Sequence, residues 1–327
     1  MPPKAHVPFP EPAATLPGEA DILASVLANL ADDTAKLVYA DWLDDHDDPR
    51  GKLLRDAVNG FRVGTEMPAE SKKFKLWEKL VGIDLMRTLW RVKPEVVGKV
   101  ALELARPALL AKSTRVAEAK IPVGASRLGG GPDLPPNAKW PMFQGEPLAF
   151  LAQFNLGELA TSPVCRELPS SGLISVFAHY DPDEANDDFP KGSWKLLYFP
   201  DTSKLTRSQP PEVSFNSCQL AFTETLSMPD LRSPLSDDIG FNIDSDAGDY
   251  WQEVIVGYEG GHRLLGYPQP IQGDVLYKKT TRHLLTISGD EKAGWEWGDG
   301  GALDFTMSEA DLKAHRFDRV KMEMQCG

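Results

Sequence analysis

The first part of the chain carries apolar residues at helical spacing. Between residues 19 and 62 they recur every three or four positions, which predicts three short amphipathic helices that pack on one another and on a neighbour. Asp32 offers an N-cap to the second helix, and Pro49 ends that helix because proline cannot continue it. Residues 1–18 are rich in proline and predict a disordered tail.

The helical pattern continues and then gives way to strands. We expect residues 63–120 to form a helical connector that belongs in part to the next domain. From residue 121 onward, short apolar and alternating runs predict strands, the clearest at 173–177, 196–199, 284–287 and 320–324. Helices and strands are segregated, so the predicted fold class is α+β: an antiparallel-sheet-rich domain over residues 121–327 with a small all-α N-terminal module.

A glycine-rich turn lies near the end of the second domain. Trp295 and Trp297 alternate with Glu296, and the Asp-Gly pair that follows predicts a tight turn with positive φ between two strands. An exposed Trp297 beside Asp299 would suit a polar ligand or a protein hot spot. A tryptophan in a strand is more typical of the core, in which case Asp299 would bond the turn.

A second glycine-rich segment runs from Arg127 to Asp133 and raises the question of phosphate binding. A P-loop needs lysine and then serine or threonine after its glycines, and neither follows here. A structural turn in which Asp133 caps amides and Arg127 pairs with a carboxylate is the favoured interpretation. An anion contact by Arg127 is the alternative, and Gln153 joins these two residues as a candidate for binding.

The chain is acidic, with 48 Asp and Glu against 35 Lys and Arg and a formal net charge of −13. Such a charge repels nucleic acid and attracts basic partners. The basic residues between 72 and 91 are interpreted as a solvated helix face. We therefore expect a protein partner, basic in character, and no nucleic acid.

The cysteines bear on the compartment. Cys165, Cys218 and Cys326 are far apart and include no Cys-x-x-Cys pair, which favours reduced thiols over disulfides or zinc. The first residues lack the apolar run of a signal peptide, and no stretch approaches the roughly 20 apolar residues that span a bilayer. The sequence predicts a cytoplasmic protein with no membrane partner.

The sequence contains no recognisable catalytic or metal-binding motif. No two of the six histidines have the spacing of a metal-ligand pair, and a Gly-x-Ser-x-Gly elbow is absent. The acidic clusters at 181–188 and 244–249 depart from the EF-hand pattern and are interpreted as solvated loops. We predict no catalytic residue, no metal and no cofactor, although His179 or His283 could meet a cysteine in space.

The glycine- and tryptophan-marked segments, taken in order, resemble the YwqG-like family of bacterial proteins over about residues 95–327. The segments that carry the resemblance are Ser126 to Pro135, Trp140-Pro141, Phe150 to Gln153, Leu168 to Leu173, Gly266-Tyr267-Pro268 with Gln272, Leu284-Leu285, Trp297 to Gly301, and Gln325-Cys326. The resemblance implies an α+β fold with extended antiparallel sheet and no established activity. Members are often encoded near contact-dependent or polymorphic toxins, which suggests an immunity or partner-binding role by association.

Residues 19–58 resemble the repeat-companion domain of planctomycete-type bacterial proteins. The resemblance rests on the run from Leu37 to Leu43 and on Asp48-Pro49-Arg50-Gly51. Lys36 stands where arginine is usual. A small helical module without known catalysis is implied.

These sequence features are consistent with two functions. The favoured one is a cytoplasmic interaction protein, of an immunity or partner-docking type, with an acidic surface. The alternative is a small-molecule-binding or enzymatic domain with a cleft lined by Arg127, Gln153, Trp297 and Asp299. Convergence of those four side chains on an open pocket would support the alternative, and a sealed Trp297 would count against it.

Overall fold

The computed structural model describes residues 6–92, 97–181, 189–231, 233, 251–256, 260–269, 271–273, 276 and 278–327. Its first part is helical. The helices are α1 Glu19–Ala28, α2 Asp33–Asp45, α3 Arg50–Val63, α4 Lys75–Leu80, α5 Ile83–Val92 and α6 Val97–Leu104.

Local signals in the sequence account for the helix ends. Asp32 is the N-cap of α2, and its side chain accepts hydrogen bonds from the amides of Thr34 and Ala35. Helix α3 begins directly after Pro49 and ends at Gly64, whose φ of 74° is the left-handed conformation that glycine adopts at low cost. The predicted cap is therefore confirmed, whereas α2 ends at Asp45, before Pro49, and Pro49 instead precedes the start of α3.

The rest of the chain is mainly antiparallel sheet. The strands are β1 Arg106–Arg115, β2 Arg127–Leu128, β3 Asp133–Leu134, β4 Met142–Phe143, β5 Glu146–Pro147, β6 Ala149–Asn155, β7 Leu173–Ala178, β8 Trp194–Phe199, β9 Thr206–Arg207, β10 Cys218–Ser227, β11 His262–Leu265, β12 Thr281–Ser288, β13 Ala302–Ser308 and β14 Lys321–Gln325. Two short helices, α7 Leu156–Leu159 and α8 Glu309–Lys313, and a π-helical turn, Trp251–Val256, lie between strands.

Ten of these strands form one sheet in the order β14-β13-β12-β11-β1-β10-β2-β6-β7-β8. The sheet curls until its two edges approach each other. The Tyr198 ring on β8 lies 5.4 Å from the Phe317 ring, which belongs to the short turn before β14. The indole nitrogen of Trp194 also donates to the carbonyl of Val320, at 3.4 Å. The α+β fold class is thus confirmed, with a nearly closed antiparallel sheet following the helical region.

Residues 106–115 differ from the sequence prediction. They were expected within a helical connector, and they form strand β1, which pairs with β10 on one side and β11 on the other. Alanine, leucine and lysine favour helices, but two ladders of inter-strand hydrogen bonds outweigh this weak preference.

The N-terminal segment also differs from the disordered tail that its prolines predict. The amide of Phe222 donates to the carbonyl of Pro8 at 2.8 Å, and the ring of Phe9 is buried 5.5 Å from the ring of Phe222. Further along, the amide of Ala13 donates to Glu224 Oε2 at 2.6 Å. Because its backbone finds partners and the side chains of Phe9 and Ala13 are buried, this segment is fixed on β10.

A buried cation joins this segment to the helices. Arg50 is 2% exposed, and its guanidinium donates to Glu19 Oε1 at 2.7 Å, Asp48 Oδ2 at 2.9 Å and the Ala13 carbonyl at 3.0 Å. A buried charge is tolerated only when it is paired and hydrogen-bonded. The hydrogen bonds and ion pairs of Arg50 therefore hold together the N-terminal segment, α1 and α3.

Lys36 on α2 is fully buried as well. Its ammonium donates to the carbonyl of Leu30, in the turn between α1 and α2. Burial lowers the pKa of Lys36 to about 8, although the nearby charges of Asp33 and Asp32 act in the opposite direction.

We expect the pKa of Lys36 to make stability rise with pH. Between the folded pKa of about 8 and the ordinary value of 10.5 the unfolded chain binds more protons, so unfolding becomes less favourable as the pH increases. From about pH 7.5 to 9.5 the free energy of unfolding should rise by about 2 kcal/mol relative to the Lys36→Met variant. Denaturant titrations of both proteins measure the difference, and a difference that stays constant across this range would contradict the prediction.

Candidate functional site

Arg127 lies inside the protein. It is 0% exposed, and its Nη2 donates to Glu118 Oε1 at 2.8 Å, the Gly129 carbonyl at 2.8 Å and Ser217 Oγ at 3.0 Å. The pairing of Arg127 with a carboxylate agrees with the structural-turn interpretation.

The glycine loop after Arg127 uses its own amides. The amide of Gly129 donates to the Leu151 carbonyl at 2.8 Å, and that of Gly130 donates to the Phe215 carbonyl at 2.9 Å. The amide of Gly131 donates to Glu118 Oε1 at 2.6 Å. A phosphate cradle needs amides that point at the ligand, so these three do not form one.

Asp133 and Gln153 form a second part of the same buried cluster. The Gln153 carboxamide accepts from the Asp133 amide at 2.8 Å and donates to Asp133 Oδ2 at 2.7 Å. Asp133 also accepts from the Gly124 amide at 2.8 Å and from Arg207 Nε at 2.9 Å. Arg127 stands opposite Gln153 in the pairing of β2 with β6, so the structure brings three of the five sequence candidates together in scaffold contacts.

Trp297 and Asp299 lie elsewhere, in the loop of residues 289–301 that connects β12 to β13. Trp297 is 0% exposed, and its ring lies 6.1 Å from that of Trp295 and 5.8 Å from that of Tyr180. Asp299 is exposed. Trp297 is sealed, so the predicted cleft of Arg127, Gln153, Trp297 and Asp299 is not formed by the described residues.

The loop of residues 289–301, called the acidic loop below, is stiff. Asp290 Oδ1 accepts from the amides of Lys292 at 2.8 Å and Ala293 at 3.1 Å, which closes a tight turn. The Trp295 indole donates to the Ser288 carbonyl at 2.9 Å. Gly298 and Gly300 have φ of 52° and 64°, so the positive φ predicted for this turn is confirmed although the loop forms no regular hairpin.

A cavity of about 340 Å³ opens beside the acidic loop. Most of its lining comes from strands β11, β12 and β13 and from the acidic loop. Among the described residues it is lined by Gly260, Gly261, Arg263, Gln269, Ile271, Thr286, Ser288, Gly289, Asp290, Glu291, Trp295, Glu296, Gly300, Gly301 and Ala302. Sequence reasoning missed this site, and the only local signal for it is the Asx turn that the Ser-Gly-Asp-Glu segment at 288–291 favours.

Gln325 holds one wall of the cavity in place. Its carboxamide accepts from the Ile271 amide at 2.7 Å and donates to the Gly273 carbonyl at 2.6 Å. Gln325 is 3% exposed. Like Gln153 in the buried cluster with Asp133, it is a buried carboxamide that forms hydrogen bonds with loop backbone.

Asp290 is paired with His262 at the edge of the cavity. The Ser288 amide donates to His262 Nδ1 at 3.3 Å, which leaves Nε2 to carry the proton and donate to Asp290 Oδ2 at 2.9 Å. Burial would raise the pKa of Asp290, but hydrogen bonds from His262, Ser113 and the Ala293 amide hold that pKa well below its usual range. Asp290 is therefore a permanent negative charge at neutral pH.

A β-bulge places His283 beside Thr286, which lines the cavity. Residues three apart in a regular strand point to opposite faces, but the register between β12 and β13 shifts between His283 and Leu285. His283 Nε2 consequently lies 2.8 Å from Thr286 Oγ1, which also donates to Asp304 Oδ1 at 2.6 Å. His283 Nδ1 lies 2.9 Å from the Leu265 carbonyl, to which it donates.

A threonine beside a histidine suggests a nucleophile and a base, but the single hydroxyl proton of Thr286 is donated to Asp304 and the energetics oppose catalysis. His283 is 1% exposed, and burial lowers its pKa to about 3. Protonating the His283 imidazole at pH 7 would require a free energy on the order of 5 kcal/mol. An efficient general base has a pKa near the working pH. The geometry instead stabilises Leu265, whose φ of 59° is unusual for a bulky residue.

Metal binding receives no structural support in the described ranges. No group of three or more His, Cys, Asp or Glu side chains there is arranged to hold an ion. Of the two acidic clusters considered in the sequence, residues 182–188 and 244–249 lie outside the described residues. In the same ranges, none of the helices has the length and apolar character that crossing a bilayer requires.

Comparison with known proteins assigns a family. A family model described as a domain of unknown function, DUF1963, matches residues 126–326. This range contains every segment that carries the YwqG-like resemblance. It leaves out residues 19–58, where the repeat-companion resemblance stays a prediction. No curated protein matches the chain.

We expect Gly130→Ala to be strongly destabilising. A Cβ at this position would lie 1.8 Å from Arg127 Nη2, so the guanidinium would have to leave its buried partners. The free energy of unfolding should fall by about 3 kcal/mol or more. Denaturant unfolding of the variant measures the loss.

Gly64→Ala is the matched control. Gly64 has φ of 74°, close to the 66° of Gly130, but a Cβ there meets nothing within 4 Å. It should cost only about 1 kcal/mol, the strain of a left-handed alanine. Equal losses in the two variants would mean that the Arg127 contacts contribute little.

Proposed function

Since the chain belongs to the DUF1963 family, a domain family of unknown function, the family does not assign it an activity. We propose from its surface that it is a stoichiometric binding protein for a basic protein partner, of the immunity type. The observation that carries the proposal is the acidic loop, which presents exposed carboxylates on a rigid base.

The charges of the loop point outward. Glu291, Glu296 and Asp299 are exposed. Lys292 is the one cation of the loop, and its ammonium donates to the Ser113 carbonyl at 3.0 Å. The outer surface of the loop is therefore negative, in keeping with the net charge of the whole chain.

The loop is also ordered before any partner arrives. Trp295 and Trp297 anchor it in the aromatic core, and Asp290 closes its turn. A surface that is already ordered loses little conformational entropy on binding, which favours affinity. Exposed carboxylates steer a basic partner toward it and raise the association rate.

The scaffold role of the family segments supports the same proposal. Arg127, Asp133 and Gln153 bind one another and nearby backbone, so recognition falls to other residues. A cytoplasmic location is part of the proposal, because Cys165, Cys218 and Cys326 are all free thiols.

The experiment neutralises the loop by Glu291→Gln, Glu296→Gln and Asp299→Asn. A basic protein captured from a bacterial lysate at low salt is purified, and its association with the two forms is measured by surface plasmon resonance. We expect the association rate constant to fall about tenfold and its salt dependence to flatten, because electrostatic steering is lost.

The control variant replaces three exposed carboxylates outside the loop, by Glu66→Gln, Glu146→Gln and Glu212→Gln. It removes the same charge and should change the rate much less. The proposal fails if no basic protein is retained at low salt, or if the control slows association as much as the loop variant does.

A further inference from the structure

We propose that Arg106 and Arg282 form a binding site for a phosphate group, either the free ion or the phosphate of a small monoester. Arg106 is the first residue of β1, and Arg282 is the second residue of β12. The acidic loop packs at the other end of β1, where the Lys292 ammonium donates to the Ser113 carbonyl at 3.0 Å. The phosphate site and the surface proposed to meet a protein are therefore formed by different residues.

Arg106 is a partly buried cation that lacks a full set of acceptors. Its guanidinium carbon lies 4.6 Å from the centroid of the Tyr267 ring. Its Nη1 is buried and has no hydrogen-bond partner in the described part of the chain. An unpaired donor on a buried charge destabilises a protein, so an acceptor supplied by a ligand would relieve this cost.

Tyr267 fixes the position of this guanidinium. The residue is 1% exposed, its hydroxyl donates to the Leu104 carbonyl at 2.7 Å, and its amide donates to Ser227 Oγ at 3.0 Å. A guanidinium that stacks on an aromatic ring uses its face for that contact and keeps the N–H groups of its edge for hydrogen bonds. The edge of Arg106 is therefore held in one orientation before a ligand binds.

Arg282 brings a second guanidinium to the same ring. Burial raises the pKa of the Tyr267 hydroxyl, and the positive charges of Arg106 and Arg282 both act against that increase. Arg282 Nη2 donates to Glu167 Oε1 at 2.6 Å. Because a guanidinium has five N–H donors, this bond leaves further donors of Arg282 for a ligand.

The carboxylates near Arg106 are engaged with other cations. Burial lowers the pKa of Arg106 and the charge of Arg282 lowers it further, whereas Glu167 and Glu309 act in the opposite direction. Glu167 is paired with Arg282 at 2.6 Å, and Glu309 is paired with Lys313 at 2.5 Å. An anion bound between the two guanidiniums would reduce their mutual repulsion and give Arg106 a partner of its own.

Two guanidiniums favour a doubly charged oxyanion over a singly charged one. A phosphate monoester carries a charge of about −1.5 to −2 at pH 7 and has three strong acceptor oxygens. Its geometry matches the planar fork of arginine, and it can accept from two guanidiniums at once. A monocarboxylate compensates one guanidinium only, and a cation is repelled by both.

The experiment titrates the full chain by calorimetry with inorganic phosphate, glucose 6-phosphate and acetate, each against potassium chloride of equal ionic strength. We expect a Kd of about 1 mM or less for at least one of the phosphate compounds, and binding of acetate at least tenfold weaker. At about ten times its Kd the ligand should raise the Tm by roughly 2 °C, because it binds only the folded chain. Tighter binding of the ester identifies a phosphorylated metabolite as the ligand, and tighter binding of the ion identifies free phosphate.

Three variants distinguish a binding role from a packing role. Arg106→Met keeps apolar contact with the Tyr267 ring and removes the charge, so it should abolish the phosphate-dependent rise in Tm without lowering the Tm in chloride. Arg282→Gln should weaken phosphate binding at least tenfold. Glu167→Gln removes a competing carboxylate and should strengthen binding about threefold. The controls Arg62→Met and Arg62→Gln change an exposed arginine on α3 and should leave binding unchanged.

The proposal is overturned if neither phosphate compound binds, if acetate binds as tightly as phosphate, or if Arg106→Met responds to phosphate as Arg62→Met does. If Arg106→Met fails to fold, the opposite effects expected of Arg282→Gln and Glu167→Gln still decide the matter. None of these variants changes the acidic loop, so failure here leaves the protein-binding proposal to its own experiment.

Discussion

Two buried carboxamides hold the loops of this fold against its sheet. Gln153 binds the backbone and side chain of Asp133 after the glycine loop, and Gln325 binds the segment at 271–273. A buried amide left without partners is costly, so each glutamine fixes a loop in the one position where its donor and acceptor are both satisfied. The wall of the cavity containing Ile271 depends on this constraint, as does the ordered packing around Arg127.

The same principle explains why polar residues inside the protein do not indicate catalysis. His283, Thr286 and Asp304 have the residue types of a reactive site, yet complete burial makes a protonated imidazole expensive. At the cavity edge, His262 donates a hydrogen bond to Asp290 Oδ2, and Asp290 Oδ1 closes a turn by accepting from the Lys292 amide. In both cases the hydrogen bonds position backbone segments of the protein.

Much of the architecture could be predicted because it depends on local chemistry. The Asp32 cap and the positive φ in the Trp297–Gly301 segment both follow from residue types at single positions. The alternating pattern of Trp295, Glu296 and Trp297 likewise gave the correct burial of each side chain. Strand β1 was missed because its residues have helical propensity and its two partner strands are far away in sequence.

The cavity could not be predicted for a related reason. Arg263 and Thr286 become neighbours only through strand register, and the bulge before Leu285 decides which face His283 takes. The spacing of residues along the sequence predicts neither the strand register nor the β-bulge. Arg127 and Gln153 were singled out from the sequence, and in the structure their side chains contact one another's neighbourhood and nearby backbone.

The position of β1 has a consequence for the boundaries of the family domain. The matched range begins at residue 126, whereas β1 ends at Arg115 and separates β10 from β11 in the middle of the sheet. A fragment cut at residue 126 would split the sheet into two halves, each with a bare central edge of unpaired amides and carbonyls. Such edges recruit strands from other molecules. The smallest autonomous folding unit of this protein must therefore reach back past residue 106, and a fragment trimmed to the family limits should aggregate or exchange strands.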